Sequence, residues 1–359
     1  MGWNLVIVIL AVGVYCLTSD FFKKVNPVSY RVSLPEKFSG GLVPNELLDK
    51  AEHLHADALH WAESFAEYKG KLYTGLGDGR IVRITNKEVV PILRTGETCE
   101  GQHEEHICGR PLGLTFNKAG QLFVADAYLG LLSIDINTGK KSTFCHQKLY
   151  IIEHDTSGRL LKYNLKTKEV SVVLKDLAFA NGVVLTHDGN ALLVAEGSNN
   201  KVFKYQIAGE TKGYLDFPLV LPGEPDNIKR SKNGNYWISV ATGRTLDNPS
   251  ILDRISDKPF WRSLFLHIHK LSTLPICSIM RLIPHKKVKE IGFELQNARI
   301  IADVAINYGL VIEFDDSGKI IRSFHSPTGK VSHLSEAFEH NGYLYLGSWR
   351  NKYIGRLKL

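Results

Sequence analysis

One module recurs along this chain with different residues filling it: an alternating apolar run, a short polar turn and a second apolar run. It reads KLYTGLGDGRIVRI from Lys71, QLFVADAYLGLLSIDI from Gln121, ALLVAEGSNNKVFKYQI from Ala191 and GLVIEFDDSGKIIRSF from Gly309. Period-two apolar runs broken by Gly, Asp and Asn turns are typical of antiparallel strand pairs. Self-similarity at intervals of a few tens of residues favours a radial repeat, in which each small sheet is covered by its neighbours. The sequence therefore predicts an all-β fold, a β-propeller.

The bulk composition is that of a globular protein. The chain has 359 residues, of which 44% are hydrophobic and 23% are charged. Its formal net charge is +7, but Lys and Arg are scattered over predicted strand edges and turns. Because nucleic-acid binding needs a clustered basic stripe, we expect no nucleic-acid partner. The oligomeric state stays open.

The first residues differ from the rest of the chain. Trp3 to Leu17 are almost continuously apolar, with no Lys or Arg before them and no small-residue cleavage site after them. A cleaved signal peptide normally carries both features, so we predict an uncleaved signal anchor over residues 1–19; a removed signal peptide is the alternative. A linker over residues 20–50 and the propeller over residues 51–359 follow, with the protein a single-pass membrane protein.

Cysteine usage points to a secretory compartment. Cys99 and Cys108 bracket a polar loop, and a short bridge between them suits an oxidising environment. A zinc site would need His103 or His106 to join the two thiolates, and the acidic spacing matches no zinc pattern. We therefore predict a disulfide, with the propeller in the endoplasmic reticulum lumen or at the cell surface. Two further cysteines are predicted to be buried thiols, Cys145 and Cys277.

Three blocks go beyond the generic repeat. They are CGRPLGLTFNKAGQLFVADAYLGL (108–131), FANGVVLTHDGNALLVAEG (179–197) and LPGEPDNI (221–228). Together with the final EHNGYLYLGSWRNKYIGRLKL, they resemble the strictosidine-synthase-like family, and the resemblance extends from about residue 63 to the end of the chain. It implies a six-bladed propeller, the fold that this family shares with the paraoxonases.

The resemblance also implies a metal site. In the paraoxonase branch, a calcium ion is held at the centre by carboxylate and Asn oxygens from several blades, and the matching residues here are Glu63, Asn181, Asp226 and Asn227. Calcium takes about six to eight oxygen ligands and acts as a Lewis acid on a carbonyl. Each residue also has a structural reading: Asn181-Gly182 is a common hairpin dipeptide, and Pro225-Asp226-Asn227 suits a turn.

The third blade departs from the family pattern. Relatives have a further inner strand there, with an Asn-Asp pair at the metal site, whereas this chain runs from Cys145 almost directly into KLYIIEHDTSGRLLKYNL. Glu153 or Asp155 could substitute, or both are ordinary turn residues. The third blade is therefore expected to be short, with exposed strand edges, and retention of calcium stays an open question.

The positions of the family's catalytic residues also carry different residues in this chain. Leu112 replaces the paraoxonase His, so that proton-transfer group is absent. Ser335 replaces the Glu with which strictosidine synthase deprotonates an amine, and Glu336 follows one residue later. Because successive strand side chains point to opposite faces, Glu336 would reach the site only from a loop. Amine–aldehyde condensation is therefore disfavoured.

A basic and apolar insertion occupies residues 251–290. Bulky side chains recur there with helical spacing. This pattern fits either a helical lid on the propeller or an amphipathic segment lying in a membrane surface. The pair His267-x-His269 is a weak metal pattern. The bulky side chains are Phe260, Trp261, Leu264, Phe265 and Ile268.

Two classes of function follow. The leading prediction is an arylesterase-like hydrolase acting on small aryl or carboxylic esters or lactones through a central divalent ion, with no catalytic side chain assigned. The alternative is a non-catalytic propeller that serves as a binding or scaffold protein at the membrane.

Overall fold

A computed structural model describes residues 27–143, 156–297, 299 and 307–359. Within those residues, the fold consists mainly of β-strands, which form six antiparallel sheets that follow one another in chain order. The predicted all-β, six-sheet architecture is confirmed. The segment predicted as a signal anchor, residues 1–19, lies outside the described residues. In the part of the chain that is described, no helix is both long and apolar enough to cross a membrane.

Four of the sheets are consecutive four-stranded meanders. The first contains β2 (Phe65–Tyr68), β3 (Lys71–Gly75), β4 (Arg80–Ile84) and β5 (Val89–Arg94). The second contains β6 (Pro111–Phe116), β7 (Gln121–Asp126), β8 (Gly130–Asp135) and β9 (Lys141–Thr143). The fourth contains β12 (Ala180–Leu185), β13 (Ala191–Glu196), β14 (Lys201–Gln206) and β15 (Leu215–Val220). The fifth contains β16 (Gly223–Arg230), β17 (Tyr236–Gly243), β18 (Gly309–Phe314) and β19 (Ile320–Ser326).

The sixth sheet joins the two ends of the domain. It contains β20 (Leu334–His340), β21 (Tyr343–Ser348) and β22 (Ile354–Lys358), and β1 (Glu52–Leu54) from the other end of the domain pairs antiparallel with β22. Ile354 is paired with Leu54 and is fully buried in a cluster with Phe65 of the first sheet. Burial of apolar side chains between the sixth and first sheets therefore adds to the hydrogen bonds that close the domain.

The third sheet has two strands among the described residues, β10 (Gly158–Tyr163) and β11 (Val170–Leu177). Leu161 and Val172 on these strands are 43% and 53% exposed. The stretch predicted as its outer strand, LYIIE, and the candidate ligands Glu153 and Asp155 lie outside the described residues. Side chains on this sheet are thus exposed, and the expectation of a short blade with exposed strand edges stays a prediction, because it depends on residues 144–155.

The leading strand of each sheet contacts the leading strand of a neighbour. Strand β2 contacts β6, β10 contacts β12, and β16 contacts both β12 and β20. Side chains from several sheets can therefore meet where these strands converge.

Among the described residues, four α-helices lie outside the sheets. The short α1 (Glu105–Cys108) ends the loop before β6, and the other three fill the insertion between β17 and β18. Ser250 and Asp253 form a capping box at the start of the insertion. The helical interpretation of this segment is confirmed. Its helices are α2 (Ile251–Ile255), α3 (Pro259–Leu282) and α4 (Lys286–Gln296).

The segment that precedes β1 lies against the fifth sheet. Asn45 donates from Nδ2 to the Ser323 carbonyl at 2.9 Å and accepts from the His325 backbone N–H at 3.1 Å. A Cβ on Gly41 would lie 2.7 Å from the Ile320 carbonyl oxygen, so glycine permits this close approach. The part of the predicted linker that contains Gly41 and Asn45 is thus hydrogen-bonded to the fifth sheet.

The predicted bridge between Cys99 and Cys108 is confirmed, with the two Cα atoms 5.5 Å apart. Cys277 is a buried free thiol, as predicted. Cys16 and Cys145 lie outside the described residues.

We expect Ile354→Ala to lower the free energy of unfolding by about 2–5 kcal/mol, since it removes fully buried methyl groups where the domain closes. Ile321→Ala is the matched control, because Ile321 is 43% exposed, and it should cost less than about 1 kcal/mol. Urea unfolding measures both. Equal losses would show that closure does not depend on this contact.

Candidate metal centre

Three buried carboxylates from different parts of the fold influence one another electrostatically. Glu63 lies just before β2, Asp226 lies in β16 and Glu336 lies in β20. They are 8%, 5% and 0% exposed. The charges of Glu63 and Glu336 both raise the pKa of Asp226, and Glu63 and Glu336 also act on each other. Two of the predicted ligands, Glu63 and Asp226, are thus brought together, and Glu336 joins them.

Close backbone packing brings Asn181 to this group. Asn181 and Gly182 lie within β12, so the hairpin-turn interpretation of this dipeptide is wrong. A Cβ on Gly182 would lie 2.5 Å from the Asp226 carbonyl oxygen and 2.7 Å from the Asn227 Cα. Only glycine allows that approach. The Asn181 side chain hydrogen-bonds Asp226 and lowers its pKa.

Asp226 and Asn227 lie in a strand with a local irregularity. They belong to β16, so the simple-turn interpretation of Pro225-Asp226-Asn227 is also wrong. The register between β16 and β17 shifts between Pro225 and Ile228. Such an irregularity turns side chains away from strict alternation, and Asp226 is buried while Asn227 is half-buried.

Asp226 is the carboxylate whose negative charge is least offset by neighbouring groups. Burial raises its pKa well above the usual value, and the three largest charge effects on it come from Glu63, Glu336 and Glu224, all of which are acidic. Its Oδ1 atom is buried and accepts no hydrogen bond from the described residues. An uncompensated buried carboxylate is costly, so this position is suited to an added positive charge.

Arg110 partly neutralises Glu63. Its Nη2 lies 3.5 Å from Glu63 Oε2, and its Nη1 lies 2.6 Å from Glu105 Oε1. The guanidinium also lies 5.0 Å from the centre of the Trp61 ring. Even so, burial outweighs Arg110 and raises the pKa of Glu63 to about 7. Glu105 is shared with Arg299, whose Nη1 lies 3.2 Å from Glu105 Oε1.

Lys229 partly neutralises Glu336. Its Nζ lies 3.2 Å from Glu336 Oε2 and donates to the Phe65 carbonyl at 3.1 Å. The Phe65 backbone N–H donates to Glu336 Oε1 at 2.7 Å. Burial, the largest effect, still raises the pKa of Glu336 to about 7. This contact joins β2, β16 and β20 around one carboxylate.

The expectation that strand geometry would turn Glu336 away from the site is wrong. Ser335 and Glu336 do lie in a strand, but the register of β20 against β21 shifts between Leu334 and Glu336. Both side chains reach the start of β2: Ser335 Oγ donates to the carbonyl of Glu63, just before the strand, at 2.6 Å, and Glu336 accepts from the N–H of Phe65, its first residue. A bulge breaks the alternation on which the expectation rested.

The donor set has the chemistry of a site for a hard divalent cation such as Ca²⁺, but Glu63, Asp226 and Glu336 are not among the described acidic and histidine groups whose ligand atoms lie within 4.8 Å of one another, so they would have to move closer together to share one ion. Asp226 has a buried carboxylate oxygen, Oδ1, that accepts no hydrogen bond from the described residues, whereas the corresponding oxygens of Glu63 and Glu336 face Arg110 and Lys229 in ion pairs. Asn181 donates a hydrogen bond from its side-chain amide to Asp226, and its amide oxygen is a further group of the kind that binds calcium. Oxygen atoms from carboxylates and amides are the ligands that calcium prefers. An added cation would also reduce the electrostatic repulsion between these buried acidic groups.

Other predicted positions contribute little to this centre. Leu112 lies half-buried in β6 and offers no proton-transfer group. His267 Nδ1 lies 2.7 Å from the Ser263 carbonyl, and His269 Nε2 lies 3.0 Å from the Leu295 carbonyl. Both histidines therefore have structural partners in the helical insertion, and the structure does not bring them to the three carboxylates.

Sequence reasoning missed the charged partners Arg110, Glu105 and Lys229. Arg110 stands inside the quoted GRPLG block, and Lys229 follows the quoted PDNI block at an inner-strand position. Charged residues inside predicted apolar strands are the signal that could have identified them, because a buried charge normally needs a partner.

Comparison with known proteins identifies similar sequences. The strictosidine synthase family profile matches residues 136–210, and the profile of the strictosidine synthase-like N-terminal region matches residues 40–84. The adipocyte plasma membrane-associated protein of Salmo salar is 35% identical over 93% of this chain and 84% of its own length.

Two solved structures share the fold. A gluconolactonase from Xanthomonas campestris has a TM-score of 0.54 at 12% identity, over 93% of this chain and 99% of its own. The calcium-binding protein regucalcin from Agrobacterium tumefaciens has a TM-score of 0.50 at 10% identity, over 91% of this chain and 95% of its own. At these identities the likeness extends to the fold alone.

The buried acids predict how stability depends on pH. Glu63 and Glu336 have pKa values of about 7 in the folded protein and a usual value of 4.5. The folded state therefore binds more protons between these values, and the free energy of unfolding in chelator should fall as pH rises from about 4.5 to 7. Thermal unfolding across this range measures the slope.

Glu336→Gln should flatten that slope, because the amide has no proton to lose. The variant should thus gain stability relative to the unmodified chain between pH 5 and pH 8. Glu169→Gln changes an exposed glutamate and should leave the slope unchanged. An unaltered slope in Glu336→Gln would contradict the assignment.

Proposed function

Because this chain belongs to the strictosidine synthase-like family, together with the adipocyte plasma membrane-associated proteins, we propose that it is a hydrolase of small aryl or carboxylic esters or lactones. Its centre holds a divalent cation, preferably calcium, through Glu63, Asn181, Asp226 and Asn227. Glu336 is a further acidic group of the same centre. A lactone is a cyclic ester, so one site serves both substrates.

Asp226 is the observation that supports this proposal most strongly. A buried carboxylate with three acidic neighbours, an open oxygen atom and no cation among its main electrostatic neighbours is stable only when protonated or when a cation is added. The fold shared with a gluconolactonase and with a calcium-binding protein adds support of a weaker kind, because one fold hosts many functions.

A bound calcium ion would supply Lewis-acid polarisation of the ester carbonyl and would make water a better nucleophile. Glu336, ionised when the cation is bound, would accept the proton of the attacking water. Lys229 and the Phe65 N–H hold this carboxylate in place. Net hydrolysis adds water across the C–O bond and yields an acid and an alcohol.

The second candidate function is that of a non-catalytic propeller that binds or scaffolds a partner at the membrane. Leu112 at the position of the paraoxonase His favours it, since that route of proton transfer is closed. A cation could then have a purely structural role. The two candidates differ in one measurable respect, namely turnover of a simple ester.

We also propose that residues 1–19 form a single-pass signal anchor, with the propeller in the endoplasmic reticulum lumen or at the cell surface. The apolar run from Trp3 to Leu17 and the Cys99–Cys108 bridge support it, because disulfides persist in oxidising compartments. The name of the relatives as plasma membrane-associated proteins agrees. N-terminal sequencing of the mature membrane protein tests it: a start beyond Ser19 would contradict the anchor.

Asp226→Asn should lower kcat/KM for phenyl acetate or a small lactone by at least about 10- to 100-fold, the loss typical when even an outer-shell partner of a metal site is removed. The assay uses the full chain in detergent with calcium present. Asp188→Asn is the matched control, because Asp188 is exposed on the turn between β12 and β13, and its activity should be unchanged.

Two results would overturn the hydrolase proposal. One is an unmodified chain that unfolds cooperatively, binds calcium and hydrolyses none of these substrates above background, which would favour the binding protein. The other is equal activity in Asp226→Asn and the unmodified chain, which would place catalysis elsewhere.

A further inference from the structure

The long helix α3 exposes a row of apolar side chains to solvent. Apolar residues repeat along one stripe of the helix, and they remain exposed although the helix is packed against the protein. The stripe consists of Trp261 (57% exposed), Leu264 (38%), Phe265 (43%), Ile268 (57%), Leu271 (43%), Ile276 (50%), Ile279 (63%) and Leu282 (83%). We call these eight residues the apolar stripe.

The opposite face of α3 is well packed. Arg262, Leu266 and Cys277 are buried there, at 1%, 9% and 3% exposure. Cys277 Sγ lies 3.1 Å from the Gly292 carbonyl of α4. The inner face therefore fixes the orientation of the helix, and exposure of the stripe does not come from a missing contact with α4. A contiguous exposed apolar surface of this kind marks an interaction site.

The segment that carries the stripe is basic in composition, although one of its cations, Arg262, is buried on the inner face. The 32 residues from Lys258 to Lys289 contain seven Lys or Arg and no Asp or Glu. Arg281, Lys286 and Lys287 are exposed at the far end of the helix and at the start of α4. An apolar face bordered by cations is complementary to a surface with an apolar interior and anionic groups at its edge, and that surface is an anionic phospholipid bilayer.

We propose that the apolar stripe of α3 docks onto the surface of an anionic phospholipid membrane. The helix lies in the plane of the interface, with the stripe among the upper acyl chains and the basic residues at the headgroups. Its 24 residues extend along about 36 Å of that surface at 1.5 Å per residue. This contact is separate from the N-terminal apolar segment and needs no catalytic activity.

The next helix, α4, packs against the docking helix and leads to the candidate metal centre. Lys289 Nζ of α4 lies 3.5 Å from Glu100 Oε2 in the disulfide-bridged loop. Arg299, which follows α4, pairs with Glu105, and Glu105 pairs with Arg110 beside Glu63. The membrane contact would therefore hold the charged network of the centre in a fixed relation to the lipid surface from which an apolar ester could arrive.

Tryptophan quenching tests the docking in the full chain. The chain is reconstituted into phosphatidylcholine–phosphatidylserine vesicles, with or without bromine on the acyl chains. It has five tryptophans, so the signal of Trp261 is isolated by comparison with Trp261→Phe. We expect bromine to quench a component that this substitution removes. Equal quenching in both chains would overturn the proposal, and the N-terminal Trp3 is common to both.

Charge and apolarity are tested by further variants. Leu271→Glu should remove most of the Trp261 quenching, whereas Ile321→Glu should not, although both parent residues are 43% exposed. Vesicles of phosphatidylcholine alone should give weaker quenching, because the basic side chains then have no anionic headgroups to contact. Equal quenching in both kinds of vesicle would overturn the claim that the membrane must be anionic. Unquenched Trp261 together with self-association that Leu271→Glu abolishes would show that a second copy covers the stripe instead.

Discussion

The structure depends on a cluster of acidic groups buried where the leading strands of three sheets meet. Loss of water destabilises the ionised form of a carboxylate, so burial raises the pKa of Glu63, Asp226 and Glu336. Arg110 and Lys229 offset part of the charge at two of them, while Asp226 has no such partner among its main electrostatic neighbours. A bound cation, as proposed above, would offset the cost of burying these charges.

Local departures from regular strand geometry build the centre. Register shifts near Asp226 and Glu336 break the alternation of inward and outward side chains. Gly182 allows β12 to approach the Asp226 backbone, and a Cβ on Gly347 would lie 2.6 Å from the Glu63 carbonyl oxygen. Regular pairing then supports these sites from outside, through β1 on β22 and the cluster around Ile354.

Much of the fold and part of the centre could be predicted from the sequence. Apolar alternation and turn residues identify the strands, and the family resemblance led to Glu63, Asn181 and Asp226, which the structure brings together. Glu336 was misjudged, because a register shift is a property of two paired strands and leaves no signature in either one alone. Arg110 and Lys229 were missed for a related reason: burial of a charge is decided by the neighbouring sheets.

Calorimetric titration of Ca²⁺ into the full chain near pH 6.5, in two buffers of different ionisation enthalpy, tests the central claim most directly. The account predicts saturable binding of one ion with release of about one proton or more, because acids with raised pKa values must ionise to bind it. Asp226→Asn should abolish this binding. Binding without proton release, or an unchanged titration in Asp226→Asn, would contradict a calcium site among these buried carboxylates.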